Sequence, residues 1–177
     1  MMVEIKTKRL VMRPVATEDK DHIVATLNDF EVSKFLSAVP FPYGDTDAIE
    51  WVELQAGPDE PKSTNFTVYL HDGTYCGAAG FDDGEIGPEL GYYINRQQWG
   101  NGYVSEAASA AIDWLFACTD VQTILSGAYT FNPASLAVQA KLGFVETGIE
   151  DRMSNPQGKA FPLITPALHR ENFTPVH

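Results

Sequence analysis

Basic side chains are scarce in this chain of 177 residues: 12 Lys and Arg stand against 24 Asp and Glu, a formal net charge of −12. Binding to nucleic acid needs a basic patch that displaces counterions from phosphates, so no nucleic-acid partner is expected. Cysteine is nearly absent. Cys76 and Cys118 sit singly in apolar stretches with no CxxC pair and no nearby histidine, which supports neither a disulfide framework nor a zinc site, and both read as small core residues. His22, His71, His169 and His177 are scattered without ligand spacing, so no metal is expected. No apolar run approaches the ~20 residues that cross a bilayer, and the first ten residues are charged where a signal peptide is apolar. A cytoplasmic protein with no membrane partner follows as the expectation. Repeats and long linkers are missing too, since the loosest stretch, Gly57 to Ser63, is too short to separate two domains. With 44% apolar residues, residues 1–177 are expected to close one domain around one core.

What is present is a clear change of period along the chain. Arg9 to Arg13 (RLVMR) alternates like a strand and stops at Pro14, after which Thr17 is placed to cap a helix carrying Ile23, Val24 and Leu27 on one face. Asp45 or Thr46 is placed to cap a second helix that ends before Gly57 and Pro58, and an aromatic, Pro-rich loop (Val39 to Gly44) precedes it. From Phe66 the period is two, with Phe66, Val68 and Leu70 alternating with polar neighbours before Asp72-Gly73, which predicts a β-hairpin closed by a type I′ turn. A polar turn at Asp82 to Gly87 leads to another strand, Pro88 to Asn95. Val104, Ala107, Ala108, Ala111, Ile112 and Leu115 then fall at helical spacing, predicting a helix from about Val104 to Cys118, and Val121 to Tyr129 reads as a strand. A strand, helix, strand unit of this kind carries parallel strands with a right-handed crossover. The expected class is α/β, and the active site is expected beside this unit.

Its most informative stretch is Trp99 to Glu106 (WGNGYVSE), where two glycines enter an Ala-rich helix. The first amides of a helix lack acceptors and sit at the positive end of its dipole, so a Gly-rich entry lets a pyrophosphate approach the main chain. For a bare GxG at a helix start, a plain structural turn is the commoner explanation. The P-loop pattern is absent, because Gly158-Lys159 is followed by Ala160, and Ser105 occupies the third glycine of a dinucleotide fingerprint. Asn132-Pro133 makes a good helix start, with Asn at the cap and Pro in the first turn, and Gly143 makes a good stop.

The run from Glu89 to Phe144, ELGYYINRQQWGNGYVSEAASAAIDWLF followed by NPASLAVQAKLGF, together with KRLVMRPVATEDKDHI near the start, resembles the RimJ/RimL-type branch of the GNAT superfamily of N-acetyltransferases. The resemblance covers the chain to about residue 150. It implies a mostly antiparallel central sheet with one parallel pair, flanked by helices, and acetyl-CoA as the acyl donor. The family signature [QR]xxGx[GA] falls on Trp99, Gly100, Asn101, Gly102, Tyr103 and Val104, with Trp99 in place of Gln or Arg and Val104 in place of Gly or Ala. By resemblance these positions and Ser105 hold the coenzyme A pyrophosphate through main-chain amides. Tyr93, Ile94 and Asn95 bind the pantetheine and polarise the thioester carbonyl, and Asn132 and Ser135 complete the arm. Many relatives carry a Tyr where this chain has Gln139, so Ser135 becomes the candidate for the departing thiolate and Glu89 the candidate base, directly or through water.

Direct attack by an amine sets a proton problem. An α-amine of pKa near 8 is about one-tenth neutral at pH 7, a Lys-like amine only about once in 2,500. The resemblance places Phe35, Phe41, Tyr43 and Tyr92 on the acceptor side. The negative net charge suits a cationic acceptor: a protein N-terminus, a polyamine or an aminoglycoside. A homodimer is compatible with the resemblance. A second reading, a non-catalytic coenzyme A-binding sensor or scaffold, is motivated by Val104 and Gln139, and a nucleotide-dependent oxidoreductase is a remote third.

Overall fold

The computed structural model describes residues 3–55 and 57–176. Its strands are β1 (Ile5–Lys6), β2 (Leu10–Pro14), β3 (Asn65–Leu70), β4 (Tyr75–Asp83), β5 (Pro88–Ile94), β6 (Thr123–Leu125), β7 (Ala128–Tyr129), β8 (Val145–Ser154) and β9 (Lys159–His169). The helices are α1 (Lys20–Leu27), α2 (Phe30–Ser33), α3 (Asp45–Glu53), α4 (Tyr103–Cys118) and α5 (Pro133–Leu142). One sheet runs β1-β2-β3-β4-β5-β6-β9-β7, with β8 paired to β9. Every pairing is antiparallel except β5 with β6, the ends of the strand, helix, strand unit. That parallel pair holds at a single register point, Glu89 opposite Leu125, and beyond it the sheet divides.

The divide follows from the sequence between 121 and 129. The expected single strand is broken at Ser126 and Gly127 into β6 and β7. Ser126 turns its hydroxyl onto the carbonyl of Leu90 at 3.0 Å, while its amide bonds Pro166. One face of the sheet is sealed by α4, whose Ala107, Ala108, Ala111, Ile112 and Leu115 are buried against Leu10, Met12, Phe66 and Phe81. The small residues let helix and sheet approach closely. The opposite face carries a second cluster in which α1 and α3 bury Ile23, Leu27 and Ala48 with Tyr43.

Local details correct several expectations. Thr17 does not cap α1; residues Thr17–Asp19 form a short 3-10 turn, and buried Asp19 accepts from the Ala16 amide, Arg13, Thr67 and Tyr69. Helix α3 is capped by neither Asp45 nor Thr46, since Asp47 reaches back to the Gly44 amide at 2.8 Å. The β3–β4 turn is not type I′: positive φ occurs at Gly73 alone, and Asp72 instead accepts from the Thr74 amide at 2.9 Å. Cys76 is buried, but Cys118 is exposed in the last turn of α4. Among the described residues, no helix is long and apolar enough to cross a membrane.

Candidate active site

A cleft of about 800 Å3 begins where β5 and β6 part and runs beneath the α2–α3 connection. Along its floor the backbone of β5 is an open edge. The Leu90 carbonyl takes the Ser126 hydroxyl and the Ile94 carbonyl takes the Trp99 indole N–H at 2.7 Å, so even-numbered residues of β5 turn their polar groups toward the gap. The amides of Tyr92 and Ile94 therefore face it. Odd-numbered residues face β4, as the Asn95 amide shows by donating to Cys76 at 2.6 Å. Of the three main-chain positions expected to hold a pantetheine, Ile94 is turned to the gap and Tyr93 and Asn95 are turned to β4; the Tyr92 amide faces the gap with that of Ile94.

Helix α4 opens close to the end of this edge. Gly100 and Gly102 have φ of 77° and 76°, the left-handed region, which lets the chain fold back and present the start of the helix. Among the described residues, the amides of Tyr103, Val104 and Ser105 find no acceptor in the preceding loop, as the first three amides of a helix require. A β-carbon at Gly100 would meet nothing within 4 Å. Val104 packs its side chain on the core, so its branched carbon does not cover the amides. Trp99 is half exposed and braces β5 through its indole rather than pointing a polar group at the loop.

An ion pair that the sequence reading missed holds this loop. Glu106 is 3% exposed and accepts from Thr7 Oγ1 at 2.6 Å, from the Arg9 amide at 2.9 Å and from Arg9 Nε at 2.7 Å. Arg9 also donates to the Asn101 carbonyl at 2.7 Å and lies over the Tyr103 ring. Burial alone would push the Glu106 carboxyl up, but the donors from Thr7 and Arg9 outweigh it and hold it below its ordinary range. The visible signal was an acid one turn into an otherwise apolar helix face.

On the other side of the gap, α5 begins with Asn132 accepting from the Ser135 amide at 3.3 Å and Pro133 in the first turn. Ser135 Oγ lies 2.7 Å from Tyr92 Oη. Gln139, almost fully buried, does not enter the cleft; its amide nitrogen donates to Ser126 Oγ at 3.0 Å and to the Gly127 carbonyl at 3.3 Å. Burial raises the Tyr92 phenol to about 12. Tyr93 points to the opposite face of the sheet and meets Tyr75 Oη at 3.2 Å.

The inner end of the cleft is acidic. Glu89, the first polar residue of β5, is held by Arg152 of β8 at 2.7 Å, and Arg152 also pairs with Glu150 at 2.8 Å. Asp82 is the cross-strand neighbour of Glu89, and its burial pushes its carboxyl up. Asp47, Glu50 and Asp83 line the same space, where Arg152 is the one cationic side chain among the described lining residues. Phe35 and Tyr43 line it too; Phe41 does not, because its ring packs on Phe30 away from the cleft. Phe35 stands between Trp99 and Phe131, with ring centroids 6.5 and 6.0 Å away, and roofs the gap.

A mixed sheet divided at its one parallel pair, with an open β-edge followed by a helix whose first amides are unpaired, is the sheet arrangement that the resemblance to the acyltransferase family implied. Comparison with known proteins gives the family. A GNAT acetyltransferase domain matches residues 9–145, and the chain belongs to that family of N-acetyltransferases. It is 28% identical to the uncharacterised N-acetyltransferase p20 of Bacillus licheniformis, over 97% of this chain and 99% of the relative. Among solved structures it resembles the RimJ protein of Mycobacterium smegmatis bound to a coenzyme A disulfide (TM-score 0.79, 18% identity, 96% and 87% of the two chains). It also resembles spermidine N-acetyltransferase of Vibrio cholerae bound to coenzyme A and spermine (TM-score 0.79, 18% identity, 94% and 98%). At these identities the likeness establishes the fold.

Proposed function

We propose that residues 1–177 act as one cytoplasmic acetyltransferase domain that transfers acetyl from acetyl-CoA to a primary amine of a cationic acceptor, a protein N-terminus or a small polyamine or aminoglycoside, within a ternary complex. The observation that carries this reading is one cleft that joins the open edge of β5 at Leu90 to Tyr93, and the start of α5 at Asn132 and Ser135, to a pocket lined by five carboxylates and one guanidinium. Bound acetyl-CoA supplies an activated acyl carbon and a thiolate leaving group. The amides of Tyr103, Val104 and Ser105 bind the pyrophosphate, with the Arg9 guanidinium close behind the Gly102 turn. The Tyr92 and Ile94 amides hold the arm and polarise the carbonyl at the split, beside which Phe35 packs on Phe131. Asn132 and Ser135 bind the opposite side, and the Ser135 hydroxyl stabilises the departing sulfur. Glu89 takes the proton shed by the attacking nitrogen, directly or through water, while Arg152 fixes one of its oxygens.

Thermal melts with acetyl-CoA, coenzyme A and NAD test the donor assignment, since a ligand at ~100 times its Kd stabilises by about 2.7 kcal/mol. Stabilisation by the two coenzyme A species and not by NAD is expected. Thiol release with a panel containing spermidine, an aminoglycoside and an Ala-initiated peptide then tests transfer. Binding without release for any amine would favour a coenzyme A sensor, the reading that Gln139 at the family's tyrosine position motivates.

A further inference from the structure

Ser135 has one proton to give, and its neighbours decide where that proton points. Gln139 spends its two N–H groups on Ser126 Oγ and Gly127 O, at 3.0 and 3.3 Å, so its 3.5 Å approach to Ser135 is the weakest of its contacts. The near partner of Ser135 Oγ is the Tyr92 hydroxyl at 2.7 Å. If Ser135 donated to Tyr92, the phenol proton would be left with the Ser135 carbonyl, at 3.4 Å, or with the buried Gln139 side-chain oxygen, which no donor reaches within hydrogen-bond distance. If Tyr92 donates, both contacts are satisfied and the serine proton is released toward the cleft that both side chains line. A phenol is the more acidic hydroxyl and the better donor, and a donor that itself accepts a hydrogen bond is strengthened.

Building on the acetyl-transfer reading, we infer that Tyr92 is a positioning residue for the leaving group: it donates to Ser135 Oγ and thereby directs and strengthens the Ser135 hydroxyl as a hydrogen-bond donor to the thioester sulfur. The step balances without proton loss from Tyr92. The amine lone pair forms the nitrogen–carbon bond, the carbon–sulfur bond breaks with its electron pair left on sulfur, the proton shed by nitrogen goes to Glu89 directly or through water, and the thiolate leaves hydrogen-bonded by the Ser135 hydroxyl and takes its proton from solvent. With its phenol at about 12, above a thiol near 8.5, Tyr92 keeps its own proton throughout. The tyrosine expected of many relatives at the position of Gln139 is thus replaced in effect by a two-hydroxyl relay that enters from β5.

The test reads binding as well as turnover. A donor aimed at the sulfur lowers the pKa of bound coenzyme A below that of the free thiol, so affinity must rise as pH climbs toward about 8.5, tenfold for each unit of lowering. By calorimetry at pH 6.5 and 9, wild type is expected to bind coenzyme A at least about fivefold tighter at the higher pH, with desulfo-coenzyme A showing no such rise. Tyr92→Phe and Ser135→Ala should each abolish the rise, and the double variant should match either single one. In turnover with spermidine, Tyr92→Phe should lower kcat about tenfold at unchanged KM for acetyl-CoA and have no further effect on Ser135→Ala. 3-Fluorotyrosine at position 92, isosteric and a stronger donor, should widen the rise. A rise retained in Tyr92→Phe, or a kcat loss undiminished in the Ser135→Ala background, overturns the inference and leaves acetyl transfer standing. Failure of wild type to bind coenzyme A at either pH overturns both, and a rise without acetylation of any amine overturns the transfer reading alone.

Discussion

Arg152 crosses from the last hairpin to hold Glu89 Oε1 at 2.7 Å, joining the C-terminal part of the chain to the strand that floors the cleft. Both side chains keep solvent contact, 30% and 39% exposed, so the pair is worth well under about 1 kcal/mol to folding. Its consequence is orientation. Arg152→Gln is expected to leave the melting temperature within about a degree or two, leave coenzyme A binding unchanged, and lower kcat about tenfold because the Glu89 carboxylate loses its fixed aim. Steady-state kinetics with the best amine, beside a melt, checks all three.

The clamp of Thr7 and Arg9 on Glu106 makes a prediction about pH. Because folding holds the Glu106 carboxyl below its ordinary value of 4.5, its contribution to stability is complete above that value and fades as pH falls through the lower folded value. Glu106→Gln removes charge-assisted bonds at a buried site and is expected to cost about 2 kcal/mol at pH 7. Below pH 4 the difference between variant and wild type should shrink. Urea unfolding at pH 7 and pH 3.5 measures this, and an equal difference at both would break the assignment.

Phe35 lines the cleft on the acceptor side, packed between the Trp99 and Phe131 rings. Phe35→Ala should therefore raise the acceptor KM several-fold while coenzyme A affinity stays the same. Calorimetry with coenzyme A, set against acceptor saturation curves, separates the two effects. A loss in both would put Phe35 on the donor instead.

How much of this was legible depended on whether a signal was local. Helix α4 was readable because six apolar residues recur at helical spacing, and α5 because Asn132, Pro133 and Gly143 punctuate it chemically. The break at Ser126 and Gly127 was not, since Val121 to Tyr129 is apolar enough for one strand and only the distant Leu90 and Pro166 show why it parts. Arg152 gave no signal either. It lies in β8, an exposed edge strand without an alternating pattern, and its partner is 63 residues away. The type of the β3–β4 turn was misread because Asp72 is satisfied by the Thr74 amide, which fixes a four-residue connection where the sequence rule supposes two.

Gly102 is the sharpest test of the anion site. It caps α4 in the left-handed region, and a β-carbon there would lie 3.6 Å from the Arg9 guanidinium, with the open amides just beyond. Gly102→Asp therefore does two things at once: it sets a carboxylate against the position assigned to the pyrophosphate, and it draws Arg9 away from that position. Strain from the left-handed backbone adds a cost to folding that Asp bears better than most residues, of the order of 1 kcal/mol. The loss of coenzyme A affinity should exceed it, about 2 kcal/mol or roughly 30-fold in Kd. Gly102→Ala carries the same backbone strain without the charge, so the ratio of the two Kd values isolates the electrostatic part. That part should shrink in high salt, because the new carboxylate is exposed. Equal Kd values for the Asp and Ala variants would mean that the phosphates bind elsewhere along the cleft.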